Sequence, residues 1–159
     1  KAPFKFSWMF DSQNVAFWSE SEKEYVCYFR VWEGIRRIAR TESSDFVNWS
    51  DPVLMSYVTD GWPSPAEELY TNQTDPYFRA PHLYVAVAAR FMPGRRVLTD
   101  EQVKEIGINV GYFNDCSDGV LLTSRAGSTR ASIPAAEELA PEASASAACS
   151  SSWGIARLR

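Results

Sequence analysis

Carboxylate side chains next to strand-like segments are the residues of this sequence whose type could support acid–base catalysis. Asp11 and Asp75 each precede a run rich in apolar residues, and Asp118 lies in a third acidic stretch together with Asp115. Two carboxyl groups can share acid–base work, one acting as base or nucleophile and the other as a proton donor. Aspartates before strands are also common turn residues, and Asp118-Gly119 is a frequent turn dipeptide. The residues alone therefore leave a catalytic and a structural interpretation open.

Histidine- and cysteine-based chemistry has little support in the sequence. His82 is the one histidine, which argues against a histidine-based metal site or a Ser-His-Asp triad. The three cysteines, Cys27, Cys116 and Cys149, have spacings that match no zinc or redox motif. They are compatible with one disulfide or with three free thiols, and Cys27 lies in an apolar run where a buried thiol is expected. We expect no metal site and no cofactor.

The overall composition is that of a folded domain with a mild charge. The chain has 159 residues, of which 45% are apolar and 14% aromatic, and its formal net charge is -4. A nucleic-acid-binding protein usually presents a basic face, and a membrane span needs about 18 or more consecutive apolar residues. The sequence has neither feature, and no signal peptide is visible. We therefore expect no nucleic-acid partner and no membrane partner.

One turn motif has a clear structural interpretation. It contains Ser43, Asp45 and Trp49 in the pattern Ser-x-Asp-x-x-x-Trp. A turn aspartate can accept hydrogen bonds from backbone N–H groups that a hairpin leaves unpaired. The tryptophan four residues later can then lie between adjacent sheets. We predict that Asp45 has a structural role and no catalytic one.

Short strands separated by polar turns are the main elements that the sequence predicts. The first set lies at 15–18, 25–32, 35–41 and 53–55. Four such segments within about 45 residues have the spacing of one propeller blade or one antiparallel meander. A second set lies at 77–80, 82–91 and 119–124. Because Asp11 and Asp75 head the two sets, the sequence contains a weak internal repeat with an insertion in the second copy.

Two short helices are predicted as insertions between strands. Residues 64–70 begin Ser-Pro-Ala-Glu, in which serine can cap the helix, proline suits the first helical position and Glu67 completes a capping box. Residues 99–106 begin Thr-Asp-Glu-Gln, which is another helix start. Neither segment is long enough to form a layer of its own.

The composition changes abruptly at the end of the second strand set. From residue 126 to residue 152, more than half of the side chains are alanine or serine, without strand periodicity. Such a stretch is typical of disorder, loose helix or a non-native end. The predicted domain organisation is therefore a β unit over 1–125, with strand sets at about 10–57 and 71–125, followed by a low-complexity tail over 126–159.

Several longer runs resemble bacterial β-propeller proteins of the glycoside hydrolase family 32 and 43 kind. The turn motif matches their blades, and the runs 10–18, 70–82 and 114–119 are similar to theirs, so that the resemblance covers roughly residues 5–125. The resemblance implies an all-β partial β-propeller of about two four-stranded antiparallel blades, with short helical insertions and an irregular tail. A closed propeller needs at least four blades, so the chain would be a fragment of a larger protein.

The resemblance also implies a function and a set of site residues. Acids at the starts of innermost strands point into a central funnel in such glycosidases, which assigns catalysis to Asp11, Asp75 and Asp118. The residues expected to bind substrate are Asn14, Trp18, Arg79 and His82. The partner would be an oligosaccharide or polysaccharide, and the location secreted or periplasmic. The fragment itself is expected to be inactive, because missing blades would leave the site incomplete.

Two other functions stay open at this point. The chain could bind carbohydrate without hydrolysing it, its acids serving as hydrogen-bond acceptors for sugar hydroxyls. It could also belong to a protein-interaction propeller with no role in sugar chemistry. Acids converging on one pocket favour hydrolysis, whereas aromatic platforms without convergent acids favour binding alone.

Overall fold

A computed structural model describes residues 9–11, 13–64, 67–109 and 111–134 of the chain. Within these ranges, strands account for most of the regular structure, in two sheets, and one short helix lies between two strands. The all-β class expected from the sequence is confirmed. The segments rich in β-branched and aromatic residues form the longest strands, as strand propensity predicts.

The first sheet is an antiparallel meander of four strands. Its strands are β1 (Val15–Ser19), β2 (Glu24–Trp32), β3 (Arg36–Ser43) and β4 (Val53–Leu54). The order in the sheet is the order in the chain, β1-β2-β3-β4. Tight turns join the first three strands, and Lys23 and Gly34 provide the positive φ angles of these turns. The four strands predicted for this part of the sequence are confirmed.

The second sheet has seven strands and a more complex order. They are β5 (Ser56–Thr59), β6 (Trp62–Pro63), β7 (Glu68–Leu69), β8 (Asp75–Tyr77), β9 (Ala80–Met92), β10 (Cys116–Arg125) and β11 (Arg130–Ile133). Six of them follow the order β6-β5-β11-β10-β9-β7, and β8 also pairs with β9. The predicted second set is therefore not an isolated four-stranded unit, because β5, β6 and β11 complete its sheet.

Strand β11 corrects the prediction for the start of the tail. Residues 126–134 were expected to lack strands, but Arg130–Ile133 pairs antiparallel with β10 and parallel with β5. Ala131 and Ile133 are buried, whereas Arg130 and Ser132 are exposed. This alternation is that of a strand with one buried face, and it is too short to stand out in an alanine- and serine-rich sequence. The rest of the predicted tail, 135–159, lies outside the described residues.

The two helix predictions had opposite outcomes. Helix α1 spans Asp100–Ile106, with Thr99 as N-cap in a complete capping box and Gly107 as a left-handed C-cap. The helix predicted over 64–70 is wrong, because Glu68–Leu69 forms strand β7 against β9. Leu69 is fully buried, so tertiary packing overrides the local helix-start signal here. The helix-start residues Pro65 and Ala66 lie outside the described residues.

The main core lies between the two sheets. From the first sheet it contains Val26, Tyr28 and Ile38, and from the second sheet Leu69, Tyr84, Ala86, Ala88, Val120, Leu122, Ala131 and Ile133. The other face of the first sheet carries a smaller cluster of Cys27, Phe29, Val31 and Ala39. The predicted burial of Cys27 is confirmed, and burial raises the pKa of its thiol to about 11. The first sheet therefore has buried apolar side chains on both of its faces.

Candidate functional site

Contacts between the sheets define two ends of the molecule. At one end, Arg36 of β3 donates to Glu68 of β7 at 2.7 Å. At the other end, the hydroxyl groups of Tyr84 on β9 and Ser19 on β1 lie within hydrogen-bond distance, 2.6 Å apart. We call these the upper end and the lower end. Strand β9 runs from the lower end, at Ala80, to the upper end, at Met92.

The structure separates Asp75 from the other two predicted catalytic acids. On β9, Asp75 lies opposite Val85 and Asp118 lies opposite Arg90, on the two neighbouring strands. Five residues along a strand correspond to about 16 Å, which exceeds the roughly 5–10 Å between the carboxyl groups of glycosidases. Asp75 and Asp118 are therefore not brought together as a catalytic pair.

Asp11 and Asp75 do not occupy equivalent places either. Asp11 forms an ion pair with Arg30 at the upper end, four residues before β1 begins. Asp75 lies at the lower end, just before the tight turn between β8 and β9. The internal repeat suggested by the sequence requires Asp75 to precede the second strand set. It does not, because the chain already pairs with β9 from Glu68 onwards, and residues 68–77 all lie along that strand.

The predicted substrate-binding residues are divided in the same way. Asn14 lies at the upper end, where its side-chain oxygen accepts the backbone N–H of Arg30 at 3.1 Å. Trp18 lies at the lower end and donates to Glu20 at 3.0 Å. Arg79 and His82 are exposed near the β8–β9 turn, also at the lower end. These four residues do not form one binding site.

A cleft at the upper end brings together a different set of polar groups. Arg90 donates to both carboxylate oxygens of Asp118, at 2.6 and 2.9 Å, and to Glu67 at 3.1 Å. The neighbouring Glu68 accepts from Arg36. The cleft has a volume of about 520 Å³ and is lined by Ile35, Glu67, Glu68, Arg90, Phe91, Met92, Pro93 and Arg95. We call it the Arg90 cleft.

Electrostatics keep the Arg90 cleft charged. The hydrogen bond with Asp118, supported by that with Glu67, raises the pKa of Arg90 above its ordinary value despite partial burial. Arg36 lies over the ring of Phe91, with its guanidinium carbon 4.5 Å from the ring centre. Such a cation–π contact fixes the guanidinium against an aromatic wall. The cleft thus combines fixed carboxylates and guanidinium groups with an apolar lining.

Sequence reasoning missed most of this site. Glu67 was assigned to a helix start, and neither Glu68 nor Arg90 was assigned any role. One signal was available, since Glu67 and Glu68 precede the short buried stretch at Leu69 much as Asp11 precedes β1. Of the predicted acids, Asp118 is the one that contacts a lining residue of the Arg90 cleft, namely Arg90 itself.

The chain matches no protein-family model, no curated protein and no solved structure. In the part of the chain that the structure describes, no group of three or more His, Cys, Asp or Glu side chains is placed to hold a metal ion. Across the same residues, no helix is long and apolar enough to cross a membrane. The chemistry of the Arg90 cleft is therefore the main guide to function.

Proposed function

We propose that this chain is part of a carbohydrate-active protein of the glycoside hydrolase kind, and that sugar binds in the Arg90 cleft. The observation that carries this proposal is the pair of carboxylates, Glu67 and Asp118, held on one guanidinium beside an apolar-lined cleft. Because both contact Arg90, the two carboxylates are separated at most by one guanidinium group and the hydrogen bond on each side of it. This arrangement is compatible with the spacing of about 5–10 Å used in glycosidases.

The contacts suggest different roles for the two acids. Asp118 receives two hydrogen bonds from Arg90, which stabilise a carboxylate and suit a base or nucleophile. Glu67 receives one longer contact of 3.1 Å from the same side chain. A general acid has to transfer a proton to the leaving oxygen, and the carboxyl group with fewer and longer contacts to arginine is better suited to that role. Glu67 is therefore our candidate for the acid.

The lining of the cleft supports a saccharide as ligand. Sugars present apolar C–H faces as well as hydroxyl groups, so their sites combine aromatic or aliphatic walls with a few fixed polar groups. Phe91 and Met92 supply apolar surface, and Glu68, Arg90 and Arg95 supply polar groups around it. The polar groups are fixed in advance by their mutual ion pairs.

The finer fold proposal is a partial β-propeller. It is supported by the resemblance of the sequence and by the four consecutive antiparallel strands of the first sheet, an order that is typical of a blade. In this proposal, the strands from β7 to β10 belong to a second blade that packs face to face on the first. The Arg90 cleft would then open beside the start of the innermost strand.

Carbohydrate binding without hydrolysis is the second candidate function. It is favoured by the ion pairs themselves, since Glu67, Glu68 and Asp118 all contact arginine. Carboxylates held in this way are good acceptors for sugar hydroxyls but poor proton donors. The two candidates share the ligand class and the cleft, and they differ in whether the glycosidic bond is cleaved.

The test uses the 159-residue chain and neutral plant oligosaccharides. We expect calorimetry to detect binding and Asp118→Asn to weaken it about tenfold, because hydrogen bonds to charged groups are worth about 1.5–3 kcal/mol. Glu67→Gln should keep binding but abolish any release of reducing ends. Glu101→Gln, at an exposed position of helix α1, is the matched control.

Three outcomes decide between the candidates. Binding with cleavage that Glu67→Gln removes supports the hydrolase, and binding without cleavage supports the second function. Failure of all the neutral oligosaccharides to bind, or identical binding by the folded Asp118→Asn variant, would show that the Arg90 cleft is not a sugar site. Circular dichroism of each variant checks that the fold is retained.

A further inference from the structure

A second groove, at the lower end, carries a different charge pattern. It lies at the lower end of the second sheet, where β9, β10 and β11 run side by side, and its volume is about 790 Å³. Its lining includes Arg125 at the end of β10 and Arg130 at the start of β11. Hydroxyl groups of Thr123 and Ser132 and the ring of Tyr77 lie along it. We call it the Arg125 groove.

The sheet register places the two arginines side by side. Thr123 pairs with Ser132 and Ser124 pairs with Ala131, so Arg125 and Arg130 are the next residues on the two strands, where the turn between β10 and β11 begins and ends. Residues two positions apart on a strand share a face, so Arg125 lies on the face of Thr123 and Arg130 on the face of Ser132. Both side chains are exposed. The strands thus present two guanidinium groups at one point of the groove.

These guanidinium groups have no anionic partner in the described part of the chain. Neither arginine forms an ion pair there. The arginines that do are Arg30, Arg36, Arg40, Arg90 and Arg96. Like charges on neighbouring strands repel each other. An anion between Arg125 and Arg130 would remove this repulsion and form hydrogen bonds with both. The chain as a whole has a net charge of -4, whereas these two arginines form a locally basic patch.

Neutral polar groups next to the arginines extend the site. Thr123 and Ser132 are exposed and lie opposite each other, one pair of positions along the strands from the arginines. Val85 pairs with Thr123 on one side and with Asp75 on the other. The carboxylate of Asp75 therefore ends the row of residues that crosses the sheet through Thr123. Hydroxyl and carboxylate groups in this row can bind sugar hydroxyls, whereas the arginines require a negative charge.

We propose that the Arg125 groove binds an acidic oligosaccharide, with the carboxylate of a uronic acid held between Arg125 and Arg130. A carboxylate matches the planar, two-pronged geometry of a guanidinium, and the row of hydroxyls suits the rest of a sugar ring. This inference rests on the proposed function only for the saccharide nature of the ligand. Its site lies at the opposite end of the molecule from the Arg90 cleft, and its residues differ.

The experiment compares three probes of equal length on the full chain: a galacturonic acid trimer, a neutral galactose trimer and a sulfated galactose trimer. We expect the galacturonic acid trimer to bind, and Arg125→Gln and Arg130→Gln each to weaken its binding about tenfold. Arg125→Lys keeps the charge but loses the planar fork, so its binding should be intermediate. Lys104→Gln removes an exposed charge from helix α1 and should bind like the unmodified chain.

The outcomes separate this inference from the proposed function. If no acidic trimer binds, or if both glutamine variants bind the galacturonic acid trimer unchanged, the inference fails. If the inference fails in this way but neutral oligosaccharides still bind at the Arg90 cleft, the proposed function is unaffected. Preferential binding of the sulfated trimer, lost in the same variants, would overturn the carboxylate assignment. If the variants lose affinity equally for the acidic and the neutral trimers, the charge of the arginines is not what recognises the ligand.

Discussion

At the scale of single residues, Asp45 illustrates a structural carboxylate that the sequence identifies correctly. Its side chain accepts the backbone N–H groups of Val47 at 2.9 Å and Asn48 at 2.7 Å. These bonds, led by that from Asn48, hold the pKa of Asp45 well below its ordinary value. Trp49 then packs against the cluster on the outer face of the first sheet. The turn is fixed by charge-assisted hydrogen bonds that a solvent-exposed aspartate supplies.

Replacement of Asp45 should destabilise this turn without affecting either proposed site. Asp45→Ala removes the acceptor of several hydrogen bonds, so we expect a lower midpoint in thermal unfolding at neutral pH. Because the folded pKa lies below the ordinary value of 3.8, the contribution of Asp45 is present above that pH and is lost as pH falls. The difference between the two proteins should therefore shrink in acid. Asp45→Asn, which keeps one acceptor oxygen, should fall between them, and an unchanged midpoint would contradict the role.

The residues of the candidate site were less predictable than this turn. A turn motif is local, so the spacing of Ser43, Asp45 and Trp49 is enough to define it. The Arg90 cleft depends on β7, β9 and β10 lying side by side, which brings Glu67 next to Asp118 from distant parts of the chain. Only Asp118 of this group was selected from the sequence. Long-range pairing is not encoded in the spacing of single acids.

At the scale of elements, helix α1 shows how local signals succeed when no long-range contact competes. Thr99 accepts the backbone N–H of Gln102, and the side chain of Gln102 accepts the backbone N–H of Thr99. Gly107 ends the helix with a φ angle of 70°. The predicted range 99–106 agrees with this helix, and its start signal lies in adjacent residues of the chain. By contrast, β7 and β11 form because neighbouring strands supply their hydrogen bonds, and the sequence does not reveal them.

Loss of the helix cap should cost a measurable part of the stability. Thr99→Ala leaves the backbone N–H of Gln102 without its partner, and we expect the unfolding free energy to fall by about 1 kcal/mol. Thr99→Ser preserves the hydroxyl and should restore most of that energy. Urea unfolding followed by tryptophan fluorescence measures both variants. Equal stability of the alanine and serine variants would exclude the capping contribution.

At the scale of the whole molecule, a charged cluster at the lower end joins the two sheets. Glu22, in the turn between β1 and β2, contacts Arg40 on β3 and the hydroxyl of Tyr84 on β9. Arg40 is almost fully buried and also contacts Glu42 and Tyr28. Burial raises the pKa of Tyr28 and of Tyr84 above their ordinary values. The packing of the two sheets is thus linked to the charge state of one carboxylate.

Burial opposes the ionisation of Glu22, but hydrogen bonds from Tyr84 and Arg40 outweigh it and lower its pKa below the ordinary value of 4.5. Its contribution is therefore complete above that pH and is lost as pH falls through the folded pKa. Glu22→Gln leaves buried Arg40 with one carboxylate fewer, so we expect the unfolding free energy at neutral pH to fall by about 3 kcal/mol. Denaturant unfolding across acid pH measures both proteins, and the loss below pH 4.5 should be smaller in the variant. Glu20→Gln, at an exposed position of the same turn, is the control and should behave like the unmodified chain. If Glu22→Gln leaves the pH dependence of the unfolding free energy unaltered, the proposed link between Glu22 and the packing of the sheets is wrong.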